Sequence, residues 1–267
     1  MDDEWDPEVY RRFAAERAQP FHDLLALVAP ATSGVAVAVD LGCGPGELTA
    51  LAADRLGCTT MTGIDNSEAM LAAAAAHARP GLSFVHGDIA TWTSVADHDL
   101  VLAAASLQWV PDHPGVLARW AGALRPGGQL AVQVPANAHM PAHTVAAELA
   151  ETEPFLSAFG PDGPPPDPVL CNVLEPEQYS QLLHQLGFEH QHVRLVVYPH
   201  VLPTSRHVVD WVRGTMLTRF EQRLPPDLFK VFVAEYEAAL LDVIGRSGES
   251  LTWERLGRPD QARGAYG

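Results

Sequence analysis

The chain has 267 residues, 47% of them hydrophobic, with 17 basic against 33 acidic side chains and a formal net charge of −16. A nucleic acid or an anionic membrane surface needs a basic footprint, and this composition supplies none, so no nucleic-acid and no membrane partner is expected. No apolar run reaches the ~20 residues of a membrane span, the start Met1-Asp2-Asp3-Glu4 has the wrong sign for a signal peptide, and three cysteines argue against a disulfide framework; a monomeric, soluble, cytoplasmic protein is expected.

In chain order, Val35 to Leu41 is an apolar run carrying Asp40 near its end, the pattern of a strand buried on both faces. Gly46 to Arg55 reads as a helix, Thr59 to Ile64 as a second strand, and Ser67 to His77 as an alanine-rich helix with Ser67 as N-cap. Leu82 to Val85, Asp99 to Ala104 and Gln129 to Val134 give three more strands. A helix over Gly115 to Leu124 stops at Arg125-Pro126-Gly127-Gly128, a turn signal. Strands alternating with helices across short loops imply an α/β fold, a doubly wound, mostly parallel sheet.

After Pro135 the rhythm changes. Residues 141–159 look helical, Gly160 to Pro168 is a proline-rich exposed connector, and Glu177 to Leu186 is a helix. His190 to Tyr198 alternates like a strand, and Ser205–Leu217 and Leu228–Ile244 are helical. The division expected is a core over 1–135, an inserted, mainly helical cap over 136–186, a last-strand region with cap helices over 187–249, and a tail over 250–267.

The most informative segment is Val39-Asp40-Leu41-Gly42-Cys43-Gly44-Pro45-Gly46-Glu47, a buried strand running into three glycines and then a helix. Glycine suits a sharp bend where a ligand must approach without a Cβ in the way, although an ordinary strand-to-helix turn favours it too. A dinucleotide fingerprint fails because Glu47 occupies its third glycine position, and no phosphate-binding Gly-Lys-Ser/Thr occurs. Asp65, at the tip of the second strand, has the chemistry to accept hydrogen bonds from both ribose hydroxyls of an adenosine ligand; the plainer alternative is a cap on the following helix. After the third strand, Gly87-Asp88-Ile89 offers a carboxylate and a backbone amide for the adenine edge. Together these describe a nucleoside pocket with no phosphate cradle.

That combination resembles the class I S-adenosylmethionine-dependent methyltransferases, whose fold is Rossmann-like. Five further patterns resemble, more narrowly, the trans-aconitate 2-methyltransferase family: Trp5-Asp6-Pro7 with Tyr10, Phe13 and Arg17; the Asp40–Gly46 loop; Ser106-Leu107-Gln108-Trp109-Val110-Pro111-Asp112-His113; Val132-Gln133-Val134-Pro135 with Asn137 and His143; and Asp210-Trp211-Val212. The resemblance implies that Asp40, Gly42, Gly44, Asp65, Asn66, Asp88, Ile89 and the backbone near Ala104 hold S-adenosyl-L-methionine, with S-adenosyl-L-homocysteine as product. Tyr10 and Arg17 would close over its methionine end. The family finishes with an apolar strand carrying Pro-Phe-Arg-Arg; here either Ser250 to Glu254 supplies a short strand or the sheet lacks its last one.

The expected chemistry is formation of a monomethyl ester of a small polycarboxylate such as trans-aconitate. A carboxylate is already ionised at neutral pH, so no general base and no catalytic proton carrier is expected. A polyanion needs donors, and resemblance with position nominates Arg17, Gln108, Trp109, Asn137, His143, Tyr198 and His200 for the acid substrate. Two alternatives stay open. One is a methyltransferase for a phenol, amine or carbon acid with His143 or His200 as base; the other is a non-catalytic protein that binds the cofactor.

The remaining candidates have plainer uses. His139 and His143 have the i, i+4 spacing of a metal pair, but Pro141 between them and the lack of further ligands argue for no metal. Cys43 is expected to pack, Trp211 to sit in the core, and Lys230, the only lysine, is a poor Schiff-base candidate. Ser106 lacks the Gly-x-Ser-x-Gly elbow of a hydrolase nucleophile.

Overall fold

The computed structural model describes residues 14–29, 36–198, 204, 206–213 and 216–245, with side chains from residue 18 onward. Five strands, β1 (Val37–Leu41), β2 (Thr60–Asp65), β3 (Leu82–His86), β4 (His98–Ala104) and β5 (Leu124–Gln133), form one sheet in the order β3-β2-β1-β4-β5. Every pairing in it is parallel. The central strands alternate between two buried faces, as a period of two requires. Ala38, Leu100 and Leu102 join Phe21, Leu25 and Met61 on one side, while Val39, Leu41, Val101 and Ala103 join Leu117 and Trp120 on the other.

Helices cover both faces. α1 (Ala14–Leu27) and α2 (Glu47–Leu56) supply the first of these clusters. α3 (Glu68–Ala74) starts at Ser67, whose hydroxyl accepts from the Met70 N–H at 3.1 Å, the expected cap. α4 (His113–Gly122) brings Val116, Leu117 and Trp120 to the opposite face.

The chain divides into two compact units, residues up to 135 with 171–195, and 136–170 with 196 onward. The second contains α5 (Pro141–Ala150) and α6 (Phe155–Phe159). α7 (Pro168–Asn172) crosses the division, and α8 (Pro176–Gln185) belongs to the first unit. α9 (His207–Arg213), α10 (Thr218–Glu221) and α11 (Pro226–Ile244) complete the second, whose core is rich in phenylalanine: Phe155, Phe159, Phe220, Phe229 and Phe232.

Several details differ from the sequence expectations. Residues 171–186 return to the sheet unit instead of joining a cap, because Tyr179, Leu182 and Leu186 of the α8 region pack as one helical face on the sheet core. The helical stretch 141–159 is broken between Ala150 and Phe155. Arg125 to Gly128 does not precede β5 but lies inside it as an irregularity, with His98 paired to Leu124 and Leu100 to Gln129. His190–Tyr198 makes no strand: Leu195 and Val197 are each 65% exposed, so the alternation has no buried face to serve. Residues 250–267, with the expected alternative strand at Ser250–Glu254, lie outside the described residues. Among the described residues, no helix is long and apolar enough to cross a membrane.

Candidate active site

The strand order reverses between β1 and β4: β2 and β3 lie to one side, β5 to the other. In open α/β sheets ligands bind outside the carboxyl ends of the strands at such a switch point. The segments leaving those two ends are Gly42–Gly46 and Ala105–Ser106. Gly42 has φ +82°, and a Cβ added there would sit 2.2 Å from the Ser106 Cβ, so only glycine allows these loops to approach. The buried Ser106 hydroxyl donates to the Leu41 carbonyl at 2.6 Å. The Gly42 and Cys43 N–H groups both donate to the Ile64 carbonyl, at 2.7 and 3.0 Å, which ties the loop to β2.

Asp65, the last residue of β2, braces the same loop. Its Oδ2 accepts from the Gly44 N–H at 2.8 Å and its Oδ1 from the Ser67 N–H at 2.9 Å. A carboxylate has about four lone-pair sites, so two acceptor positions remain for a ligand. A Cβ at Gly44 would meet nothing within 4 Å, so open space adjoins the loop there. The plainer alternative, that Asp65 engages the start of α3, holds for its Oδ1, and it leaves acceptor positions for a ligand.

Asp40 is buried beneath this loop, and its Oδ2 accepts a 2.6 Å bond from the Thr49 hydroxyl on α2. Burial pushes its carboxyl up to about 6; the Thr49 bond opposes this and the nearby Asp65 charge adds to it. Burial, with Asp40 and Asp65 close by, also raises the Cys43 thiol far above its ordinary value, so it stays protonated and packs. After β3, Asp88 is exposed, with Oδ1 accepting from the Ala90 N–H at 2.8 Å. The Ile89 carbonyl accepts from Trp120 Nε1 at 3.2 Å, which fixes this turn to α4. Asn66 is exposed and Ala104 half-buried at the tips of β2 and β4.

The turn after β4 is held by Gln108. Its Nε2 donates to the carbonyl of Ala105, which sits at φ +52°, and its own carbonyl accepts from Asn172 Nδ2 at 2.9 Å. The Oε1 of Gln108 is buried with no hydrogen-bond partner among the described residues, an acceptor available to a ligand. Trp109 follows, half-buried. His113 closes the segment: Nε2–H donates to the Leu107 carbonyl at 2.9 Å, and Nδ1 accepts from the Tyr179 hydroxyl at 2.6 Å. Burial lowers the His113 pKa against the pull of the Leu107 and Val110 carbonyls, in keeping with a neutral ring that accepts at Nδ1.

In the second unit, Asn137 Oδ1 is buried without a partner among the described residues. His143, on α5, is buried with Nδ1 2.8 Å from Asp167 Oδ2, and Arg219 Nη1 lies 3.0 Å from that same oxygen. Tyr198 is half-buried. Tyr10 and His200 lie outside the described residues, as does the side chain of Arg17, whose backbone belongs to α1. No group of three metal-ligating side chains occurs among the described residues, and His143 directs one ring nitrogen to Asp167.

Sequence reasoning missed Thr49, Tyr179, Asp167 and Arg219, and of Ser106 it missed the bond to Leu41. Thr49 carried a signal, since it lies one turn inside the helix that the glycine loop starts. Asp167 carried none: it lies in the proline-rich run expected to be an exposed connector, yet its side chain is 8% exposed.

A methyltransferase-domain family matches residues 38–128, from β1 into β5. The trans-aconitate 2-methyltransferase of Streptomyces avermitilis is 41% identical over 241 residues, covering 88% of both chains. That of Deinococcus radiodurans is 42% identical over 221 residues, 82% of this chain and 83% of its own. Two solved structures share the fold. One is a chain of the Haloferax volcanii complex between the Trm112 methyltransferase activator and a methyltransferase (TM-score 0.53, 19% identity, 76% of this chain and 79% of that one). The other is the YcgJ protein of Bacillus subtilis (TM-score 0.51, 13% identity, 86% and 93%). With its parallel sheet, its glycine loop and these relatives, the chain belongs to the trans-aconitate 2-methyltransferase family of S-adenosylmethionine-dependent enzymes.

Proposed function

We propose that this enzyme methylates one carboxylate of a small polycarboxylic acid such as trans-aconitate, giving a monomethyl ester. The observation that carries the reading is 41% identity, across 88% of both chains, to a protein named for that reaction.

The residues present fit S-adenosylmethionine. Open space beside Gly44 and the orphaned Gln108 Oε1 lie in segments that leave β1 and β4, which flank the switch point, and two unused acceptor positions on Asp65 lie at the end of the adjacent β2. The cofactor supplies an electrophilic methyl group on a sulfonium and leaves as S-adenosylhomocysteine. Asp65 would accept from its ribose hydroxyls, Asp88 and the Ile89 N–H would read its adenine, and Gly42 and Gly44 would let the backbone approach. Asp40, Asn66 and the backbone at Ala104 shape that berth from β1, β2 and β4, and family resemblance adds Tyr10 and Arg17.

The acid acceptor is its own nucleophile at neutral pH, so the protein's task is to hold a polyanion in line with the methyl group and exclude water. Gln108, Trp109, Asn137, His143 and Tyr198, with Arg17 and His200, are the donors and walls assigned to that task. On the same reading the partner is a free small acid and the enzyme works as a cytoplasmic monomer, without nucleic acid; a net charge of −16 supports the last point.

The His143–Asp167 bond favours a second reading, a histidine base for a phenol, amine or carbon acid. Arg219 weighs against it, because the Asp167 charge that would support an imidazolium is already balanced by a guanidinium. Labelled methyl transfer to a panel of di- and tricarboxylic acids, phenols and amines tests the choice. Turnover confined to the acids is expected; turnover confined to phenols or amines defeats the proposal.

A further inference from the structure

The segment leaving β4 carries a buried amide with one position unfilled. Gln108 is 5% exposed, and its Nε2 donates to the Ala105 carbonyl at 2.7 Å. An oxygen in place of Nε2 would face that carbonyl oxygen, so the bond fixes which end of the amide is the acceptor. That acceptor, Oε1, is buried and has no hydrogen-bond partner among the described residues. Bond lengths within the amide keep it within about 5 Å of the Ala105 carbonyl oxygen, hence at the carboxyl end of β4, beside the switch point.

The amide is held in this orientation. Ala105 is a non-glycine residue at φ +52°, a conformation that persists where its surroundings enforce it, and its N–H donates to the Gln133 carbonyl at 2.9 Å. Asn172 Nδ2, from the same compact unit, donates to the Gln108 backbone carbonyl at 2.9 Å. A buried acceptor left unpaired costs stability, and a ligand that brings a donor removes that cost.

The chemistry of the two reactants selects the donor. An ionised polycarboxylate offers Oε1 only further acceptors and leaves the cost in place. S-adenosylmethionine carries donors at its adenine amine, its ribose hydroxyls and its α-ammonium. In the placement proposed for it, Asp88 after β3 takes the first and Asp65 at the end of β2 the second. The sheet order puts β4 on the opposite side of β1 from β2, two strand spacings or about 10 Å away. A ligand anchored over β2 and β3 therefore has one donor left to bring toward β4, the α-ammonium, and a fixed amide oxygen suits a cation.

We propose that Gln108 Oε1 accepts a hydrogen bond from the α-ammonium of the cofactor, with Ala105 and Asn172 fixing the amide for that contact. The assignment rests on the cofactor placement proposed above, not on the identity of the acid, and gives Gln108 a second duty beside walling the acid site.

The test titrates full-length protein calorimetrically with S-adenosylhomocysteine and with its deamino analogue, in which hydrogen replaces the α-ammonium. Wild type is expected to bind the analogue at least about tenfold more weakly. Gln108→Met keeps the side-chain length and removes the acceptor. It should bind S-adenosylhomocysteine about 5- to 50-fold more weakly, and the ratio of the two affinities should fall at least about fivefold from its wild-type value. A merely disturbed turn would weaken both ligands alike, so an unchanged ratio in a folded Gln108→Met overturns the proposal and leaves the cofactor placement standing. If Gln108→Met fails to fold, NMR of the Gln108 side-chain amide in wild type, assigned from its own backbone, decides. Its signals should move on adding S-adenosylhomocysteine and move less with the analogue; equal movement overturns the proposal. A wild type that binds both ligands equally well also overturns it, and one that binds neither overturns the cofactor placement too.

Discussion

The hydroxyl of Ser106 donates a 2.6 Å hydrogen bond to the carbonyl of Leu41, 65 residues away in sequence. That bond joins the end of β1 to the segment after β4 at the point where the strand order reverses, and the backbone approach it needs is possible because residue 42 has no side chain. The glycine loop is therefore part of the sheet's construction.

Gly42→Ala should be destabilising by about 2–5 kcal/mol, combining a left-handed conformation with a collision against Ser106. In a Ser106→Gly background the collision disappears, and the same substitution should cost only the conformational part, about 1–2 kcal/mol. Urea denaturation of the four proteins measures both values; equal costs in the two backgrounds would show that the Ser106 contact is irrelevant.

Asp65→Ala should weaken S-adenosylhomocysteine binding at least about tenfold, through the loss of charged hydrogen bonds each worth about 1.5–3 kcal/mol. A 2′-deoxy analogue of the ligand separates ribose recognition from bracing of Gly44. Its penalty should be large in wild type and small in Asp65→Ala. A calorimetric loss below about threefold for Asp65→Ala would mean that Asp65 serves the loop alone.

The buried Asp40 predicts a pH effect with a definite sign. Its folded pKa of about 6 exceeds the ordinary 3.8, so the folded state binds this proton more tightly than the unfolded chain does. The stabilising contribution is complete below the ordinary value and is lost as pH rises through about 6. Asp40→Asn retains an acceptor for Thr49 and removes the titration. Relative to wild type, it should gain on the order of 2–3 kcal/mol between about pH 4 and 7. Parallel stability curves from denaturant titrations would contradict this.

Tyr179→Phe removes the donor to His113 Nδ1 and the acceptor for the Leu174 N–H. Leaving buried polar groups unpaired should cost about 1–3 kcal/mol of stability while S-adenosylhomocysteine affinity stays unchanged. Thermal melts and calorimetry on the same samples check both halves, and an unaltered melting temperature would remove Tyr179 from the clamp between α8 and the segment after β4.

The parallel sheet and the glycine loop with its Asp65 brace were legible because both are written locally. A continuous apolar run such as Val37–Leu41 has few structural uses, and Gly42, Gly44 and Asp65 stand at positions fixed by strand ends. The residues that returned from a distance were not legible. Tyr179 meets His113 across 66 positions, and no periodicity in either segment announces the other. Asp167 was hidden by its neighbours, since a proline-rich composition reports the lack of backbone donors but not whether a side chain is buried. The alternation at His190–Tyr198 misled because pattern alone does not say whether a sheet edge is there to receive it.

Carboxylate methylation is tested most directly by the lability of the product. The enzyme is incubated with trans-aconitate and S-adenosylmethionine carrying a labelled methyl group, the labelled product is isolated, and it is treated with mild alkali. A methyl ester releases its label as volatile methanol, and full release is the result expected; label that stays on the acceptor through the same treatment marks an ether, amine or carbon-bound methyl group and contradicts a carboxylate acceptor.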